Sequence, residues 1–454
     1  MLDVSAETAP RRAPFAFPFY YGWFIIGLSF LAYLAASAVR SAPSVLIHPL
    51  EAEFGWGRTA ISAAASLNLL TYGFMAPVGG WLLDRYGARR VVVGCLVTIA
   101  VGVTGTVFVR ELWQFILLWG VVLGIATGVT PALSASVASR WFIARRGLAL
   151  GILTNANATG QVIFLPILMA LIVSHGWRPA MMLIVGTGLL LLPAIWLWLR
   201  DYPAEIGLEP YTDGTTHVSG AAVASGAGRV FSLASTADAV KTPTFWLLSG
   251  SFFVCGMTSN GLVGTHMIPH AIERGIPEVT AATAVGIMGV ASFIGTTFAG
   301  WLCDRMDARK VLSAAYFFRG MSLFVLPYVT DAAGLFIFAV LYGFDWFATG
   351  PSTVALIAKH FGQARVGVLF GLVFVSHQIG SAIAALGAGW IYSEFGEYYY
   401  AFLSGAVMGL LAAGMAHIYH EGDVHSPKRT AATGLLRIEG KNTTKLKRYP
   451  YKAV

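Results

Sequence analysis

The sequence predicts an all-α integral membrane protein, with twelve transmembrane helices in two pseudo-symmetric six-helix bundles. Three observations carry that prediction. Charge is scarce: 56% of the 454 residues are hydrophobic and 11% charged, against roughly 25% charged in soluble chains. Apolar runs of about 20 residues, enough to cross a bilayer, recur along the chain. The second half of the chain also repeats the first at a constant offset. A soluble fold of this length would have too few charges to cover its surface, and the mean hydropathy of +0.69 agrees. Soluble globular, disordered and collagen-like architectures are excluded.

Taken in order, a tail over 1–20 carries no short apolar core followed by a small-residue cleavage site, so the first span is expected to be uncleaved. Apolar runs bounded by Gly, Pro or charge then fall at 21–47, 58–83, 91–109, 113–139, 147–174 and 178–199. They define a first bundle over 21–199. Residues 200–241 are rich in Gly, Ser, Thr and Pro, the composition of a flexible linker. A second bundle over 242–420 holds runs at 244–271, 279–302, 311–329, 333–358, 366–392 and 398–419. A basic tail, 421–454, follows.

A shift of 220 residues superimposes the halves without a gap from residue 49 to residue 396. It places Asp84-Arg85 on Asp304-Arg305, Arg89 on Arg309, Pro49 on Pro269 and Pro131 on Pro351. Gly80 falls on Gly300, Gly147 on Gly367 and Arg145 on Arg365. An even number of spans per half makes the repeats parallel, which is a transporter architecture with its pathway between the halves. Of the 30 Lys and Arg, 24 fall in the tails, the linker and the even-numbered loops. Four lie on the other side (Arg58, Arg110, Arg178, Arg274), and Arg40 and Arg319 lie inside spans. The positive-inside rule then makes both termini and the linker cytoplasmic in a cell membrane.

The net charge of +8 is not matched by an aromatic-basic patch, so no nucleic-acid partner is expected. Cys95, Cys255 and Cys303 lie far apart, without metal-site or disulfide spacing. No cofactor or metal is expected, and no nucleophile–base pair can be assembled, so the chain is not read as an enzyme. The basic tail should favour anionic lipid. Asn442 in N-T-T matches a glycosylation pattern, but on the cytoplasmic side.

The strongest motif is GWLLDRYGARR, Gly80 to Arg90, with a copy GWLCDRMDARK, Gly300 to Lys310. Gly80 and Gly300 would admit close helix approach. Asp84 and Asp304, with Arg85, Arg89, Arg305 and Arg309, would form a charge cluster that latches the halves and breaks when the inner gate opens. On these residues the chain resembles the major facilitator superfamily, and with the spans and repeat the resemblance covers nearly all of it. In the copy, Asp307 replaces the later Gly. A narrower resemblance, to the monocarboxylate-transporter and oxalate–formate-antiporter branch, rests on RWFIARRGLALGI (Arg140 to Ile152, including Arg145 and Arg146), Gly22-Trp23, GWR at Gly176 to Arg178, YGFDWFATGPSTVAL and FVSHQIG. That branch usually keeps a substrate-pairing arginine in span eight. Here Thr296 stands at that place, with Ser292 at the position of an acidic partner in some members, so the anion-binding role does not carry over.

Polar groups at membrane depth are functional candidates. Arg40 lies near the place where the branch keeps a span-one lysine, and reads either as an anion attractor or as an interfacial, snorkelling side chain. Asp345 is the acid well inside a span, either a proton site or a structural partner of Arg319. Asn157 and His377 are related by the 220 shift and fall near midplane. Spans five and eleven line the cavity in the superfamily, which puts this pair on the pathway. Asn155, Gln161, Gln378 and Asn68 supply further donors and acceptors, and interhelical glue is the competing role for all of them. His266 and His270 read as solvated. The resemblance implies a secondary transporter of a small organic acid, proton-linked, working by alternating access in the lipid bilayer. An exporter of drug-like or siderophore-like compounds is the alternative, favoured by the missing arginine. A non-transporting receptor or scaffold would have lost the Asp-Arg motifs, which are present twice.

Overall fold

The computed structural model describes residues 19–212, 238–362 and 365–418; the basic tail, Asn442 and most of the linker lie outside them. Among the described residues, twelve helices are long and apolar enough to cross a membrane. In the first half they are α1 (Tyr21–Phe54), α2 (Arg58–Tyr86), α3 (Ala88–Val107), α4 (Leu112–Trp141), α5 (Arg146–His175) and α6 (Trp177–Trp198). The second half has α7 (Pro243–Glu273), α8 (Glu278–Cys303), α9 (Ala308–Tyr328), α10 (Ala332–Phe361), α11 (Val366–Phe395) and α12 (Tyr399–Ile418).

The repeat read from the sequence reappears in the packing. Within the first half α1 packs on α5, α2 on α4 and α3 on α6; within the second, α7 packs on α11, α8 on α10 and α9 on α12. The halves meet through α2 against α11 and α5 against α8, which are exchanged by the same pseudo-twofold. Large apolar side chains such as Leu190, Phe318, Leu341 and Leu411 point outward, as expected where lipid tails are the solvent.

The equivalent helices α1, α4, α7 and α10 are not continuous, a feature the apolar runs did not indicate. Helix α1 restarts at Pro43 after Ala42. Helix α4 carries a π-helical stretch, Ile116–Leu123, and α7 another, Met257–Val263. Helix α10 breaks after Asp345 and resumes at Thr349. Such breaks are tolerated only where protein satisfies the freed backbone groups. At the α10 break Arg319 does so, donating to the carbonyls of Asp345 (2.8 Å) and Trp346 (2.9 Å).

Two turns show how the repeat diverged. Between α2 and α3, Gly87 has φ +83°, open to glycine without strain. The Asp201 carboxylate, from beyond α6, accepts the Arg89 N–H there at 2.8 Å. In the second half Asp307 occupies the equivalent place with φ −64° and itself accepts the Arg309 N–H at 3.0 Å. The Arg309 side chain, 2.5 Å away, holds the Asp307 carboxyl down at about 2. The start of the linker is fixed to the first half, unlike the flexible segment expected: Tyr211 N donates to Trp141 O (2.9 Å) and Ile143 N to Tyr211 O (3.1 Å).

Candidate functional site

Arg40, near the break in α1, is half-buried and faces α2 and α5. One terminal guanidinium nitrogen, Nη1, donates to Asn157 Oδ1 at 3.1 Å and to Tyr72 Oη at 3.2 Å. The guanidinium carbon lies 4.0 Å from the centre of the Tyr72 ring, a cation–π distance. Its Nε is buried without a hydrogen-bond partner. The guanidinium of Arg40 is therefore turned toward protein groups and keeps a buried donor unused. Beside it, a cavity of about 30 Å³ lies between the halves, lined by Arg40, Asn68, Gln161, Asn260, Thr265 and Trp346 among others. It has room for water but not for a metabolite in this arrangement. Gln161 Oε1 and Trp346 Nε1 are also buried and unpaired.

His377 lies in α11, buried among aromatic rings. It stacks on Phe374 with centroids 5.7 Å apart and planes at 9°, and Phe252 lies 4.9 Å away. Its Nδ1 is 3.1 Å from Gln378 Oε1. Asn157 and His377 do not bond to each other. Instead Tyr72, under Arg40, meets Phe374, over His377, at 6.1 Å. One arc of side chains thus runs from the cation of the first half to the imidazole of the second. The aromatic links in that arc were missed because aromatic residues in apolar spans carry no local signal.

Other candidates have structural partners. Asn68 Nδ2 donates to Trp119 O at 2.7 Å, tying α2 to the π-helical part of α4. Asn155 Nδ2 turns back to Gly151 O of its own helix, 2.9 Å away. Asp345 Oδ2 accepts from Arg319 Nε at 2.7 Å, with Arg319 fully buried and also donating to Cys255 Sγ at 3.0 Å. Of the two roles weighed for Asp345, the structural one is therefore filled. His266 and His270, expected in solvent, are buried at 0% and 2% exposure. His266 Nε2 meets Ala385 O at 2.8 Å and its Nδ1 meets Tyr398 Oη at 3.1 Å; both are bonds that solvent would otherwise supply.

Among the described residues, the motif carboxylates seen in ion pairs find their partners within their own halves. Asp84 pairs with Arg140 of its own half at 2.7 Å, and Arg309 with Asp307 of its own half. Arg85, Asp304, Arg305 and Arg146 are exposed. The Arg89 guanidinium lies 4.5 Å from the Trp196 ring, and Arg145 turns the loop before α5 with φ 59°. A Cβ on Gly79 would meet the Val129 backbone at 2.9 Å, whereas Gly80 and Gly300 have nothing within 4 Å. Close approach inside α2 and α4 is thus made by Gly79, and the two signature glycines face open space. Contacts joining the halves gather at the opposite end. Ser66 Oγ donates to Ala382 O (2.8 Å), Thr59 Oγ1 bonds Ser393 Oγ (2.8 Å), and Arg58 pairs with Glu273. Among the described residues, side-chain contacts between the halves lie at the Arg58 end, and Asp84 is paired within its own half.

Two repeated six-helix halves, meeting around a half-buried cation in a membrane-spanning bundle, define a membrane transporter. The family model described as Major Facilitator Superfamily matches residues 29–349 and again 257–451. The chain belongs to that superfamily. It is 26% identical over 384 residues to the uncharacterized MFS-type transporter YcxA of Bacillus subtilis, covering 81% of this chain and 87% of that one. It is 25% identical over 396 residues to monocarboxylate transporter 12-B of Danio rerio (83% and 82% covered). Against monocarboxylate transporter 11 of Homo sapiens the identity is 24% over 393 residues (77% and 80% covered). The branch indicated by the Arg140–Ile152 run is thus represented among the relatives. A bacterial homolog of the human lysosomal transporter Spinster, in an inward-facing and occupied conformation, superimposes with a TM-score of 0.70 at 14% identity, covering 89% of this chain and 97% of that one. That likeness concerns the fold alone.

Proposed function

We propose that the protein is a secondary active transporter of a small monocarboxylate-like anion, proton-linked and working by alternating access. The observation that carries this reading is Arg40. It is half-buried beside the cavity between the halves and bonded to neutral groups, with an unused Nε donor. Arg319, the other arginine deep in the spans, is neutralised by Asp345. One uncompensated cation favours a ligand with one negative charge, so a monoanion is preferred over oxalate. The neutral amides of Asn157 and Gln161 would orient it.

His377 is the proposed proton carrier, since its imidazole can take up and release a proton and is linked to Arg40 through Tyr72 and Phe374. Asp345, already bonded to Arg319, is left a structural role. Asn68, Asn155 and Gln378 support the pathway helices. The 24-to-four division of basic residues supports a cytoplasmic side for both termini and the Asp84 end, in a cell membrane. The Asp84 and Asp304 motifs would then latch the cytoplasmic end in the other half of the cycle.

The test is uptake of radiolabelled lactate, formate and oxalate into proteoliposomes under an imposed pH gradient. Flux of the monocarboxylates, strongly reduced in Arg40→Gln, is the expected result. Absence of flux with every carboxylate would discard the reading and favour the exporter. Thr296, which replaces the branch's span-eight arginine, supports that second reading.

A further inference from the structure

Arg58 opens α2 and is buried, yet it belongs to none of the pathway or motif residues. Glu51, at the end of α1, takes one edge of its guanidinium: Nε to Oε1 at 2.7 Å and Nη2 to Oε2 at 2.6 Å. That bidentate grip leaves Nη1 pointing into the second half. There Nη1 meets Glu273, at the end of α7, and Tyr398 Oη at 3.2 Å, while the Tyr392 ring lies 3.7 Å beneath the guanidinium. The acceptor side is also fixed. His266 Nε2 must carry a proton to bond Ala385 O, so its Nδ1 accepts the Tyr398 hydroxyl, leaving that oxygen free to accept from Arg58.

The repeat explains why this contact exists. Under the 220-residue shift Glu53 falls on Glu273 and Arg178 on Tyr398. In the first half Glu53 is satisfied at home, by Arg178 at 2.5 Å and by Trp177 Nε1 at 2.6 Å. The second half has kept the carboxylate but holds tyrosine where the arginine would be. Its glutamate is left without that partner, and Arg58 of the other half fills the vacant position. We infer that the Arg58–Glu273 contact, positioned by Glu51 and Tyr398, is the lock that holds this end of the transporter shut. The equivalent glutamates thus pair differently, Glu53 within its own half and Glu273 across to the other. The inference rests on the alternating-access reading above.

The test is hydrogen–deuterium exchange on the full-length protein in lipid nanodiscs. Glu273→Ala should raise exchange about tenfold in segments 58–66 and 382–393 and slow it in segments 74–86 and 293–303, because the two ends open in exclusion. Tyr398→Phe, removing one acceptor, should move both ends in the same senses by less. Glu53→Ala, breaking the twin pair inside one half, should leave the balance between the ends at wild type. An unchanged Arg58 end in Glu273→Ala, or loosening there without slowing at the Asp84 end, overturns the lock. Gly389→Val separates the two ideas, since a Cβ at Gly389 would overlap the Ser62 hydroxyl and wedge α2 from α11. If the wedge moves the ends oppositely and Glu273→Ala does not, alternating access stands and the lock falls. If neither variant does, alternating access falls and the lock with it.

Discussion

Arg40 and Arg319 differ in what surrounds them, and two substitutions separate their roles. Arg40 has neutral partners, so Arg40→Gln should leave folding nearly intact. Losing a charged hydrogen bond worth about 1.5–3 kcal/mol should lower kcat/KM for monocarboxylate flux by roughly ten- to a hundredfold. Initial uptake rates over a concentration series check this, and Arg40→Lys should retain part of the activity. Asp345→Asn acts on stability instead. It strands the fully buried Arg319, a cost of about 3–5 kcal/mol, visible as a lowered melting temperature in detergent. Asp345→Leu with Arg319→Met should recover much of that loss, since apolar replacement of a buried pair is often neutral. If Asp345→Asn instead melts like wild type and abolishes pH-driven flux, Asp345 is the proton site after all. Both arginines were legible in the sequence because a charge inside an apolar run stands out. Arg58 was not: at a loop end it looks like any surface arginine, and Glu273 is 215 residues away.

At the scale of elements, the turn before α9 shows how a departure from a motif becomes a working substitute. Asp307 in place of the later glycine reads from sequence as decay of the second copy. In the structure it supplies the capping carboxylate that Asp201 lends to the first copy. Asp307→Ala should therefore cost about 1 kcal/mol, the usual price of a lost N-cap, and raise exchange at the first turn of α9. The pH dependence has a definite sign. The folded carboxyl is held near 2, below the ordinary value of about 3.9. Its contribution is complete above about pH 4 and fades as pH falls toward 2, so wild type and Asp307→Ala should converge in acid and differ at neutral pH. The helix order and the pairing of halves were readable because hydropathy and the 220 offset are local, repetitive signals. The breaks in α1, α4, α7 and α10 were not. Pro49 lies inside α1 without ending it, and the α10 break depends on Arg319, a side chain from another helix.

For the whole molecule, the signature glycines and the interface glycines make opposite predictions from one structure. Gly289 sits at the crossing of α8 and α5, where a Cβ would meet Ala158 O at 3.0 Å and crowd Val162. Gly80 and Gly300 have nothing within 4 Å. A larger side chain at Gly289 therefore disfavours the arrangement seen here, and one at Gly80 or Gly300 does not. If the molecule alternates, the Asp84 end must close in the other half of the cycle, and the space beside Gly80 and Gly300 is where the halves then approach. Gly80→Leu and Gly300→Leu should accordingly keep the wild-type melting temperature yet reduce flux by about tenfold or more, because one of two required closures is blocked. Gly289→Leu should lower flux as well, but with slower exchange at the Asp84 end as the balance shifts toward the opposite state. Measuring melting, flux and exchange on the three variants decides the matter. Equal flux in Gly80→Leu and wild type would mean that the open space beside this glycine is lipid-facing surface, and that closure at that end uses other residues.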